Sequence, residues 1–202
     1  MIQGVSGVIH VGAHYGEERD YYKSLGLKVV WVEALPDVFQ QLSDNIKKYK
    51  DQIAYNALLT DEFGKEYLFK VTSNEAASSS IFEFKHHVDM WPSVYKSSEK
   101  ILTSTTLYDL CRSKNIVLQD YQALVLDTQG SELLVLRGAD SILSNFKYIK
   151  TEVADFESYR EGCQLEDISR FMEARGFKEL ERQTQISKPE VGTYYDITYA
   201  KL

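Results

Sequence analysis

The chain has 202 residues, 44% of them hydrophobic and 26% charged, with a formal net charge of −7 at pH 7. That length suits one domain over 1–202 with a single sizeable core, and the composition is that of a globular rather than a disordered chain. The acidic balance argues against a nucleic acid partner, whose phosphates need a basic face, and no apolar run is long enough to span a bilayer, so no membrane partner and a cytoplasmic protein are expected.

The first expected strand, Gly7 to Val11, leads into Gly12-Ala13-His14-Tyr15-Gly16. A helix follows from about Glu17 to Leu25, capped by Gly26, and a second apolar strand spans Lys28 to Glu33. Pro36 suits the first turn of the next helix, whose apolar residues Val38, Phe39, Leu42 and Ile46 recur at helical spacing. The pattern predicts a third strand over Gln52 to Leu59, a turn at Thr60 to Gly64, and a strand over Lys65 to Val71 paired back on the one before it. Ser73 to Ser80 is small and polar and reads as a surface loop. The region from there to Lys100 has little periodicity, several aromatics and Pro92, and is expected to cover a cleft and set its specificity.

Leu107 to Ser113 reads as a short helix, and Tyr121 to Leu126 as a buried strand ending on Asp127. Leu133, Leu134, Leu136 and Leu143 mark the apolar side of another helix, and a strand over Tyr148 to Val153 carries Glu152 near its end. Leu165 to Arg175 is a helix closed by Gly176. The tail, Phe177 to Arg182 and Tyr194 to Ala200, reads as two strands around a turn at Lys188 to Gly192. Cys111 and Cys163 stand alone, which suggests neither a disulfide framework nor a zinc site.

Strands alternating with helices predict an open α/β sheet, in which ligands sit beyond the carboxyl ends of the strands. Those ends carry Gly12, Glu33, Asp127 and Glu152. Glycine at the first turn lets backbone approach a ligand, and an acid ending the next strand can accept hydrogen bonds from ribose hydroxyls. The glycines follow G-x-x-x-G rather than the G-x-G-x-x-G that cradles a pyrophosphate, and no P-loop is present. This favours a nucleoside cofactor without phosphate, S-adenosylmethionine, over a dinucleotide.

The run Val11-Gly12-Ala13-His14-Tyr15-Gly16, then Val32-Glu33 with Pro36, Phe39, Leu42 and Asn45, Ser79-Ser80-Ile81, and Thr105-Thr106-Leu107 with Asp109 and Leu110 resembles the FkbM-type S-adenosylmethionine-dependent methyltransferases. The likeness continues through Leu126-Asp127-Thr128-Gln129-Gly130-Ser131-Glu132-Leu133, Val135-Leu136 and Gly138-Ala139 to Glu152. It implies a Rossmann-like class I methyltransferase fold: a mostly parallel seven-stranded sheet, helices on both faces and an antiparallel C-terminal strand. It also implies methyl transfer from S-adenosyl-L-methionine, most often to a hydroxyl of a sugar, glycan or other small molecule. The cofactor is expected on Gly12, Ala13, His14, Gly16, Glu33, Ala34, Asn56, Ala57, Ser80, Asp127 and Thr128. The family often carries Asp, Asn and Lys where this chain has His10, His14 and Val125.

Methylating a hydroxyl requires donor and acceptor held in line and a base for the leaving proton. Asp127 is the first candidate base, Glu152 the second and His10, with His14, the third. Each has a plainer reading: Asp127 as a cap for the helix near Ser131, Glu152 as a partner of Lys150, and His10 as a hydrogen-bonded core residue. Tyr21-Tyr22, His86-His87 and Trp91 could line an acceptor pocket or serve only as core or loop anchors. No third ligand stands at metal spacing from the histidine pair, so no metal is expected. Two other readings stay open, a non-catalytic S-adenosylmethionine or nucleoside-binding module and, less favoured, a nicotinamide oxidoreductase.

Overall fold

The computed structural model describes residues 4–201. In chain order its strands are β1 (Gly7–Val11), β2 (Lys28–Glu33), β3 (Gln52–Asn56), β4 (Leu58–Leu59), β5 (Glu66–Thr72), β6 (Lys96–Thr105), β7 (Ala123–Leu126), β8 (Tyr148–Ala154), β9 (Phe177–Lys188) and β10 (Gly192–Lys201). The helices are α1 (Arg19–Ser24), α2 (Pro36–Ile46), α3 (His87–Met90), α4 (Leu107–Ser113), α5 (Glu132–Gly138) and α6 (Leu165–Glu173).

Seven strands form the main sheet in the order β3-β2-β1-β7-β8-β10-β9. The first five are mutually parallel, and β10 runs antiparallel to both its neighbours. The fold expectation is met. Because successive side chains in a strand face opposite ways, β1 feeds two cores. Ile9 and Val11 join Leu107, Leu110, Val135, Leu136 and Ile168 from α4, α5 and α6, while Val8 joins Tyr22, Leu42 and Ile46 from α1 and α2. The sheet is therefore buried on both faces near β1 and β2, which is why those strands read as continuous apolar runs.

Several boundaries differ from the sequence pattern for identifiable reasons. The strand expected over Gln52 to Leu59 breaks at Ala57, because the Asn56 side-chain amide donates to the carbonyls of Glu33 (2.8 Å) and Ala34 (2.9 Å) and bends the chain off the sheet. Leu58 and Leu59 instead enter a three-stranded sheet of order β4-β6-β5. Thus β5 does not pair back on the preceding strand; its partner is β6, in the stretch read as aperiodic. The Ser73 to Ser80 segment is not a plain surface loop, since Ser78, Ser79 and Ser80 are buried. The leucine-marked helix stops at Gly138 and continues as a 3-10 turn over Asp140–Asn145. The tail strands extend to a long hairpin.

The segment from Glu83 to Lys96 is tied to the loop after β8, the N–H groups of Lys85 and His87 donating to the Ser158 carbonyl (2.8 and 3.0 Å). His87 is buried and stacked parallel on Phe84, with ring centroids 4.3 Å apart, and its Nδ1 has no hydrogen-bond partner among the described residues. Burial lowers its pKa from 6.5 to about 4. Between those pH values the unfolded chain binds a proton that the native state does not, so His87 removes stability as pH falls through that window. His87→Phe keeps the stacked shape and deletes this loss. Its stability advantage over wild type should grow on going from pH 7 to pH 4.5, by about 2 kcal/mol in urea unfolding. A difference that stays flat with pH would show that His87 titrates in the native state as it does in the unfolded chain.

Candidate active site

The carboxyl ends of β1, β2 and β7 meet at one turn. Gly12 has φ +79°, and its N–H and that of Ala13 both donate to the Val32 carbonyl at the end of β2 (3.0 and 3.1 Å). Asp127 N donates to the Val11 carbonyl (3.0 Å), tying β7 to the same point. Glu33 ends β2 inside the cleft so formed. Its two carboxylate oxygens each accept one backbone N–H, from His14 (3.0 Å) and Leu35 (2.9 Å), which leaves each a lone pair for a ligand hydroxyl. Burial raises the Glu33 pKa, and the Leu35 and His14 N–H groups hold the rise back.

A cavity of about 250 Å³ lies over this turn. Gly12, Ala13, His14, Glu33, Ala34, Ala57, Asp127 and Thr128 line it, as does His10. Gly16, Asn56 and Ser80, also expected on the cofactor, stand behind the wall instead. A side chain on Gly16 would meet Leu42 of α2 at 2.7 Å, Asn56 shapes the end of β2, and Ser80 Oγ donates to the Gln129 carbonyl (2.7 Å). The apolar part of the wall comes from Leu35, Val38, Leu58, Leu59 and Phe69, and Ala76, Ala77 and Ser79 close it from the segment after β5. Leu58, Leu59 and Phe69 were missed because β4 and β5 belong to the small sheet, whose place over the cleft has no signature in local periodicity.

Asp127 and Glu152 stand side by side at the ends of β7 and β8. The Gln129 side-chain amide bridges them, donating to Asp127 Oδ1 (2.6 Å) and Glu152 Oε2 (3.2 Å), while its own oxygen accepts from the Tyr159 hydroxyl (2.6 Å). Gln129 holds this position at φ +54°, a left-handed conformation unusual for a side-chain-bearing residue. Burial pushes the Asp127 carboxyl up to about 7. The Gln129 amide opposes that rise, while the charges of Glu132, Asp196 and Glu18 add to it. Glu152 is raised by burial and then by Asp127 itself. Two adjacent carboxylates of this kind titrate as a pair.

The alternatives weighed for these residues resolve by geometry. Asp127 caps no helix: the turn before α5 is held by buried Glu132, which accepts the N–H groups of Thr128 (2.8 Å) and Gly130 (3.1 Å). Lys150 pairs with Asp196 (2.6 Å) rather than with Glu152. His10 Nδ1 lies 3.1 Å from the Tyr22 hydroxyl, its ring stacks on Trp31, and burial, with the charge of Lys150, lowers its pKa to about 3. So weak a base is a poor proton acceptor. His14 is the opposite case. Burial works against its charge, but the Glu75 carbonyl (2.9 Å) and the Glu17 carboxylate (2.8 Å) outweigh it and raise the pKa. The aromatics expected around an acceptor do not line these cavities: Tyr22 packs under His10, Tyr21 and His86 are exposed, and His87 and Trp91 pack around Tyr159 and Tyr194. The position where the resemblance expects a lysine, Val125, has Lys150 as its lateral neighbour on β8.

Paired lone pairs on Glu33, an apolar slot beside it and backbone packed at Gly12 suit an adenosine, and the Gly12, Ala13, His14 and Gly16 N–H groups at the turn are given to Val32, Glu33 and Ala13 rather than left for a pyrophosphate. Among the described residues no three His, Cys, Asp or Glu side chains are arranged to hold a metal ion, and no helix is long and apolar enough to cross a membrane.

Residues 10–179 match the family model described as the methyltransferase FkbM domain. No curated protein matches the chain significantly. Among solved structures, the chain is similar to an uncharacterized protein from Listeria monocytogenes serotype 4b, at 7% identity and a TM-score of 0.55 over 98% of this chain and 62% of that one. It is similar to a putative tRNA (m1A22) methyltransferase of Streptococcus pneumoniae, at 9% identity and a TM-score of 0.55 over 100% and 66%. It also resembles Aeropyrum pernix fibrillarin, solved with natively bound S-adenosyl-L-methionine, at 11% identity and a TM-score of 0.54 over 96% and 66%. The chain spans less than two thirds of the length of each, and at such identities the likeness is one of fold.

Proposed function

The chain belongs to the FkbM family of S-adenosylmethionine-dependent methyltransferases, and we propose that it methylates a hydroxyl of a sugar, glycan or other small molecule. When bound, S-adenosylmethionine supplies a methyl group on a sulfonium, which passes in line to a nucleophile and leaves a neutral thioether. The chain's part is to hold, orient and accept a proton. Glu33 engages the ribose hydroxyls, the Gly12 turn brings backbone against the ligand, and Leu35, Val38, Leu58 and Phe69 enclose its apolar portion.

The observation that carries the reading is the free oxygen of Asp127. Gln129 occupies Oδ1, and Oδ2 has no partner among the described residues, while Asp127 lines the cofactor cleft and a second chamber beyond it. Oδ2 is the atom that takes the hydroxyl proton. Because the pair with Glu152 resists full ionisation, it holds one negative charge, on the carboxylate that takes the proton, rather than two beside the sulfonium. Such charge would stabilise the ground state, whose positive charge is lost on transfer. The net charge of −7 supports a small acceptor over a polyanionic one.

Calorimetry against S-adenosylmethionine, its demethylated product S-adenosylhomocysteine and NAD tests this reading. Both adenosyl ligands should bind and NAD should not. Glu33→Ala should weaken the two by about tenfold or more, the worth of a charge-assisted hydrogen bond pair. Binding of neither adenosyl ligand overturns the proposal.

A further inference from the structure

Asp127 is a wall shared by two chambers. The second, of about 210 Å³, lies between α1, β7, β8 and the β9–β10 hairpin and is lined by His10, Glu18, Asp127, Lys150, Glu152 and Asp196 among others. Its charge is lopsided. Four carboxylates face one lysine, and that lysine is bound to Asp196 at 2.6 Å, with Gln185 donating to the same carboxylate. Glu18, Asp127 and Glu152 are left without a cation. Glu18 is exposed, whereas desolvation raises the Asp127 and Glu152 carboxyls, a cost that a matching positive group relieves.

An independent feature also marks the chamber as a binding site. His10 is 5% exposed and lines both chambers, its Nδ1 is engaged by the Tyr22 hydroxyl, and its Nε2 has no partner among the described residues. A ring nitrogen of a buried side chain, open to the cavities rather than paired, is a polar contact available to a ligand.

We propose that this second chamber seats the methyl acceptor and that the acceptor carries a protonated amine beside the hydroxyl it offers to Asp127. The proposal rests on the methyltransferase reading. An ammonium presents three N–H donors and no acceptor, which suits Glu18 together with an Asp127–Glu152 pair that shares a proton and otherwise offers acceptors, whereas a phosphate or uronate would add an anion to a wall already negative. A divalent ion is the competing occupant, but no three of these side chains are arranged to ligate one.

The test is calorimetry at pH 7 on the S-adenosylhomocysteine complex, titrated with glucosamine and galactosamine, their N-acetyl forms, the corresponding uronic acids and magnesium chloride. Glucosamine or galactosamine should bind about tenfold or more tighter than its N-acetyl form, the ratio expected of one charge-assisted contact, and the uronates should give no saturable heat. Glu18→Gln should narrow the amine preference to about threefold or less. Equal binding of an N-acetyl sugar or a uronate overturns the proposal, as does saturable magnesium binding or the absence of any amino-sugar binding to the complex. If S-adenosylhomocysteine itself fails to bind, the methyltransferase reading falls first.

Discussion

Asp127→Asn should lower methyl transfer by about 10³-fold while changing S-adenosylmethionine affinity by less than about threefold. The amide keeps the size of the side chain and can still pair its oxygen with Gln129, so the turn that binds the cofactor is preserved. What it loses is the ability to take a proton at the Oδ2 position. Wild-type activity should rise as pH passes through about 7, where the Asp127 carboxyl ionises, and the rise should be absent in the variant. Unfolding is a poor explanation for the loss. The folded pKa of Asp127 is raised above 3.8, so the native state binds the proton more tightly and is destabilised by its departure as pH rises through that window. The Asn variant has no such term and should be at least as stable as wild type above pH 7. Equal losses of transfer and of cofactor affinity would make Asp127 a binding residue. Glu152→Gln separates the pair: if Glu152 only raises the Asp127 pKa, its removal should shift the activity profile to lower pH and retain most of the rate.

Those two carboxylates were legible in the sequence because Asp127 follows the apolar strand β7 and Glu152 lies near the end of β8, and strand ends in a parallel sheet converge. The strands themselves were legible for the same reason: Gly7–Val11 and Lys28–Glu33 lie in the middle of the sheet and carry apolar side chains on both faces. Helix α4 was equally clear, with Thr106 Oγ accepting the Asp109 N–H as a cap just before the apolar residues Leu107, Leu110 and Cys111. Strand β6 was not. Its residues Lys96 to Glu99 are exposed and polar, its partner β5 begins thirty positions earlier in the chain, and nothing in local spacing reports a pairing at that distance. The second chamber was hidden for a similar reason. Lys150 and Asp196 come together only through the antiparallel placement of β10 on β8, where Asp196 lies opposite Glu152 and Thr198 opposite Lys150. Register across strands is set by tertiary packing, so charges that look scattered along the chain become one pocket. Gln129 was quoted only as part of a motif. That it bridges two acids follows from its left-handed backbone and from Tyr159, a residue the resemblance does not reach.

Gly12→Ala should destabilise the fold by about 4 kcal/mol or more and abolish cofactor binding, whereas Gly26→Ala should cost only about 1 kcal/mol and leave binding intact. The two glycines share a left-handed backbone, at φ +79° and +68°, so the conformational penalty of a side chain is the same for both. They differ in their surroundings. A Cβ on Gly26 meets nothing within 4 Å, while one on Gly12 would lie 1.7 Å from the Asp127 carbonyl oxygen and 2.6 Å from its carbonyl carbon. Those are backbone atoms of β7, anchored by the bond from Asp127 N to the Val11 carbonyl, and no rotamer change can clear them. Relief requires β1 and β7 to separate at the point where the cofactor turn and the proton acceptor are joined. Urea unfolding and S-adenosylhomocysteine calorimetry on both variants measure the contrast. Similar costs at the two positions would mean that left-handed backbone alone explains Gly12. A large excess at Gly12 would show that the glycine is there to let β1 and β7 close, and that donor binding and proton transfer are built on one contact.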